Sequence, residues 1–90
     1  MMNQNANQLE TDMPYSKMLL CYEQAAALVQ ARRAELRDEL RALVTHKEGS
    51  KASALAQNML EKRIMTLRDE YDDLSDAIRE IRIYAEREMH

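Results

Sequence analysis

Tryptophan and phenylalanine are absent from this chain, and glycine, proline and cysteine occur once each. A lone cysteine, Cys21, excludes an intrachain disulfide and with it the stapled design of small secreted domains. One glycine and one proline leave almost nowhere for a helix to be interrupted. The only aromatic residues are four tyrosines, too few to interleave a basic surface with base-stacking rings. No stretch reaches the roughly 20 apolar residues that a membrane span requires. Residues 18–29 contain Glu23 and Gln24 and lie well inside the chain, which makes a poor signal-peptide core. The net charge of −3 argues against a general polyanion binder, while leaving room for a local basic face.

What is present is an Ala/Leu/Glu/Arg-rich composition, 32% charged, of the kind found in long helices. Ninety residues suffice for one domain. Residues 1–13 are rich in Asn and Gln and lack an apolar period, so they read as a disordered tail. A single helical hairpin is expected over 14–90: helix 1 at about 15–47, a turn at 48–50 and helix 2 at about 51–88. Pro14 suits a first turn, and Asp12 or Ser16 suits the capping of its free N–H groups. Gly49 stands where a left-handed residue ends a helix, with His46 and Lys47 in the turn before it; Ser50 suits an N-cap for helix 2. So short a connection makes the helices antiparallel.

Two apolar seams carry the fold. One is Tyr15, Leu19, Tyr22, Ala26, Val29, Arg33, Leu36, Leu40; the other is Leu60, Ile64, Leu67, Tyr71, Leu74, Ile78, Ile81, Ala85. Both step by alternating fours and threes, the spacing that keeps one helix face against a partner helix. In an antiparallel fold-back the numbers of each facing pair add to 100, as for 15 with 85, 22 with 78 and 36 with 64. The fold class is therefore all-α, an antiparallel, coiled-coil-like two-helix hairpin. One seam between two helices, each on the order of 50 Å long, is a thin core for so many ordered residues. Dimerisation into a four-helix bundle is the expected remedy.

The flanks of the seam differ. One side collects Met18, Cys21, Ala25, Leu28 and Leu43 from helix 1 with Ala56, Met59, Ala77 and Ile81 from helix 2, widening the apolar stripe as a bundle helix requires. The expected dimer interface is Met18, Cys21, Ala25, Leu28, Met59, Ala77 and Ile81. The opposite side holds Arg33, Arg37, Arg41, Arg68, Arg79 and Arg82, a face able to take a polyanion or an acidic partner. The simpler reading is a solvated, salt-bridged side, with Glu61 beside Arg37 and Arg41 and Glu23 beside Arg79. Asp69, Asp72, Asp73 and Asp76 form a row on the back of helix 2, read as a solvated face because a straight helix cannot wrap calcium.

Among single residues, Arg33 interrupts the seam opposite Leu67. It is read as laying its stem over the seam and sending its head toward Glu70 or Asp69, with a buried register-selecting role as the alternative. Tyr15, Tyr22 and Tyr71 are read as core, and Cys21 as a small buried hydrophobe. His46 and the terminal His90 lack a second ligand at helical spacing, so no metal, cofactor or catalytic set is expected. The function expected is a non-catalytic interaction or scaffolding module acting through homodimerisation and a protein partner, in the cytoplasm. A nucleic-acid-binding bundle using the arginine side is the alternative. A further one is leaderless secretion: the size, the hairpin topology and Tyr84-x-x-x-Glu88 resemble the WXG-type secreted hairpins. The turn His46-Lys47-Glu48-Gly49-Ser50 departs from that family by lacking its tryptophan.

Overall fold

The computed structural model describes residues 13–46 and 51–89. The expectations for the tail before Met13, for the Asp12 cap, for Lys47 and the Gly49–Ser50 turn, and for His90 lie outside these residues, as does that for the side chain of His46. The described chain is all-helical: α1 spans Pro14–His46 and α2 spans Lys51–Glu88. The two helices pack against each other as a hairpin. Neither is long and apolar enough to cross a membrane.

The start of α1 follows from its residues. Met13 accepts the first helical hydrogen bond, from Lys17 N–H at 3.2 Å, which makes it the capping position. Pro14 comes next, where its fixed φ fits and no N–H is lost. Along both helices, alanine, leucine, arginine and glutamate dominate and no glycine occurs inside either element, so nothing breaks the ladder. Thr45 and Thr66 fold their hydroxyls back onto the carbonyls of Arg41 and Lys62, at 2.7 and 3.1 Å. That satisfies the hydroxyls without a partner outside the helix. At the other end, Met89 N–H reaches Glu86 O at 3.2 Å, a tightened last turn.

The chain divides into two compact units, one of residues 13–26 with 73–89 and one of Ala27–Asp72. In the first, Ala26 and Ala85 are buried, and Leu19, Leu74, Ile78 and Ile81 are half-buried. Its helices run antiparallel, since Ser16 meets Glu88 and Glu23 meets Arg82. In the second, Leu36 and Leu67 are buried at 3% and 4% exposure, with Val29, Arg33, Leu40, Leu60, Ile64 and Tyr71 half-buried. Every position of the two seams is thus withdrawn from water except Tyr15 and Tyr22, at 41% and 36% exposure. The reading of those two tyrosines as core is corrected. Among the described residues no third element covers a phenol at the edge of the seam, which leaves its hydroxyl open to solvent. Cys21, expected to be buried, is exposed in the single chain, because it stands about 100° round the helix from Tyr22 of the seam.

Leu36→Ala and Leu67→Ala should each cost about 2–4 kcal/mol of unfolding free energy, through lost transfer energy and the cavity left behind. Leu20→Ala, at a site 56% exposed, should stay within about 0.5 kcal/mol. Urea titrations followed by helical circular dichroism would measure all three.

Candidate functional site

The surfaces beside the seam are the regions with chemistry to offer, and they are best taken unit by unit. On the apolar flank of the unit containing the chain ends, Met18 is 42% exposed and Cys21 is exposed, while Ala25, Ala77 and Ile81 are half-buried. In the Ala27–Asp72 unit, Leu28 is 72% and Met59 63% exposed, with Leu43 and Ala56 half-buried. Leu28 and Met59 therefore keep well over half of their surface in water.

The flank is not apolar throughout. Seven-residue steps from Ala25 and Leu28 arrive at Arg32 and Glu35, both exposed and 3.7 Å apart as an ion pair. The same step from Ala56 arrives at Arg63, and then at Glu70, both exposed. The expected stripe is thus a set of apolar patches separated by charge. Such interruptions fix register more than they add affinity.

The arginine side is paired mostly along its own helices. Arg41 bonds Asp38 at 3.4 Å, Arg79 lies 3.8 Å from Asp76, and Arg68 lies 3.9 Å from its neighbour Asp69. Arg82 bridges the two helices by pairing with Glu23 at 3.2 Å. The expected pairing of Glu23 with Arg79 is corrected to Arg82, and Asp76 takes Arg79. Glu61, expected beside Arg37 and Arg41, accepts instead from Gln57 Nε2 at 3.4 Å. Local pairs win here because residues three or four apart on a helix meet without any cost in chain closure. Arg37, Leu40, Arg41, Val44 and Thr45 border an open groove of about 450 Å³ on α1. Among the described residues no three His, Cys, Asp or Glu side chains converge as metal ligands; Asp69 and Asp76 of the acidic row face arginines.

Arg33 is half-buried in the seam. Its terminal nitrogen donates to Gln30 Oε1 at 3.2 Å rather than reaching Glu70 or Asp69, and its Nε is buried without a hydrogen-bond partner. Gln30 lies one turn back on the same helix, so the stem needs no further extension to reach it.

A cluster at the chain ends has no counterpart in the expectations for the flanks. The Glu88 carboxylate accepts Tyr15 N–H at 2.8 Å on Oε1, and Ser16 N–H and Ser16 Oγ–H, each at 3.0 Å, on Oε2. Behind it, the Tyr15 ring stacks on Tyr84 with centroids 5.1 Å apart, and the Arg87 guanidinium lies 5.5 Å from the Tyr84 ring centre. Ser16 was expected to accept from the helix backbone as a cap; its hydroxyl donates instead, and Glu88 accepts. The available signal was the register: with facing numbers adding to 100, Tyr84 falls opposite Ser16, and Glu88 lies one turn further along.

Replacing Arg33 by leucine should leave stability unchanged or raise it by about 1 kcal/mol, since it removes an unpaired buried donor and lets apolar surface meet Leu67. A urea midpoint below that of the wild type would show the guanidinium to be a net contributor. No protein-family model, curated protein or solved structure matches this chain.

Proposed function

We propose that this chain is a non-catalytic interaction module: a helical hairpin that homodimerises into a four-helix bundle and then offers the bundle surface to a protein partner. The observation that carries this reading is the exposure of Leu28 and Met59, at 72% and 63%, beside a described core of only Ala26, Leu36, Leu67 and Ala85. Two of those four core residues are alanines, which bury little area and contribute correspondingly little. A second copy is the occupant that both patches favour. It is present at equal concentration, and a two-fold contact needs only a self-complementary face. Arg32 and Glu35 on the same flank pair with each other at 3.7 Å, so they put no net charge in the way of a second copy.

The arginine side supports this reading over nucleic-acid binding. Arg41, Arg68, Arg79 and Arg82 each stand beside a carboxylate. Their charge is already balanced, which weakens the counterion-release term that drives phosphate binding. A mixed nucleic-acid pool should accordingly show no mobility shift with the chain at low salt; a shift abolished by Arg37→Glu with Arg79→Glu would reverse the preference.

Size-exclusion chromatography with light scattering at micromolar concentration should give the mass of a dimer. Leu28→Glu should weaken the dimer at least about tenfold, the order of effect of truncating a central contact. Because Leu28 is exposed in the single hairpin, that substitution spares the fold of one chain. A wild type that runs as a well-folded monomer, or a Leu28→Glu dimer as tight as the wild type, would overturn the proposal.

A further inference from the structure

Every α-helix begins with N–H groups that its own carbonyls cannot reach, and a side-chain oxygen at the capping position usually accepts from the second or third helical residue. In α1 that position is Met13, whose side chain has no oxygen. Pro14 has no N–H to satisfy. The two donors left over are the backbone N–H groups of Tyr15 and Ser16, and both point to Glu88. The first turn of α1 contains no acidic side chain of its own, so no residue within that turn answers the positive end of its dipole. Glu88, 73 residues away, supplies both the acceptor oxygens and the charge.

We propose that Glu88 is a detachable N-cap for α1, an acid-released latch that fastens the first turn of α1 to the last turn of α2 while its carboxylate is charged. Neutralised, the carboxyl loses its charge-assisted bonds to Tyr15 and Ser16, which are the stronger class of hydrogen bond. The turn from Pro14 to Ser16 is then free to open, and Tyr15 leaves Tyr84. The two half-exposed rings become an apolar surface that the closed end keeps partly to itself.

Among the described residues, the other charged and titratable groups at this end are the Tyr15 phenol and the Lys17 ammonium on α1, and the Tyr84 phenol, Glu86 and the Arg87 guanidinium, which lies over Tyr84, on α2. Among the described residues Glu86 makes no hydrogen bond or ion pair to α1, so Glu88 is the group whose protonation unfastens the contact. Partial burial pushes the Glu88 carboxyl up, but the bonds from Tyr15 N–H, Ser16 N–H and the Ser16 hydroxyl outweigh it and hold the group below the ordinary glutamate value. A carboxyl lowered by folded contacts stabilises the folded form above its unfolded pKa. That contribution fades as the pH falls through the lowered, folded value.

Hydrogen exchange at the Tyr15 and Ser16 amides of the full chain, read by NMR from about pH 7 to about pH 3 and corrected for intrinsic exchange, tests the latch. In the wild type, protection of these two amides should fall with a midpoint below the ordinary glutamate value. In Glu88→Gln, it should be lower by about three- to tenfold at neutral pH and flat with pH, while amides in the middle of α1 keep theirs. Adding Met13→Ser to Glu88→Gln should restore protection without restoring the acid limb, because a local hydroxyl then caps the same N–H groups. Wild-type protection that does not change with pH, a Glu88→Gln chain as protected as the wild type, or a failure of Met13→Ser to rescue would each overturn the proposal.

Discussion

Two helices can hide only the strip along which they touch, and every other property of this chain depends on that constraint. The strip is set by side chains at alternating steps of four and three, and it withdraws from water most residues at those steps and a margin of positions beside them. A helix in the middle of a larger domain covers its remaining sides with neighbours. Here the remaining sides face solvent, so large apolar groups such as Leu20, Leu28, Met59 and Met65 stay wet. Water contact of that kind is ordinary for single scattered residues. It becomes informative where the buried complement is as small as two leucines and two alanines.

The polar interactions follow the same constraint from the other direction. With little buried volume, ion pairs form where both partners are solvated, as with Arg41 and Asp38 or Arg79 and Asp76, whose side chains are all at least 73% exposed. Pairs of that type contribute little to stability and chiefly decide which surfaces attract and which repel. The end cluster is the exception in kind. There a carboxylate answers backbone donors that would otherwise lack partners, and it does so from the opposite helix.

The hairpin was legible in the residues because its signal is repeated: sixteen seam positions agree on one register, and a disagreement at Tyr15 or Tyr22 leaves the pattern standing. Arg33 was also visible as the seam's irregularity. Its partner, Gln30, was not, because the seam pattern places the stem of a long flexible side chain and leaves the position of its head to local geometry. The same holds for Glu23, which takes Arg82 and leaves Arg79 to Asp76. The Glu88 cluster was hidden for a different reason. It rests on what Met13 and Pro14 lack, an acceptor and a donor, and on a meeting of two helix ends that no periodic pattern encodes.

The Tyr15–Glu88 hydrogen bond joins residues 73 apart, whereas helical bonds join residues four apart. Helical turns form within a microsecond or so, and each closes almost no loop. A contact between the two ends closes nearly the whole chain, and the entropy of doing so is reduced only by helices already in place. Its formation therefore draws on prior order in both helices, and its support fails when the first turn of α1 or the last turn of α2 frays. The cap at the start of α1 thus acts as a check on the completeness of the fold, since it is satisfied only when the chain has come together end to end.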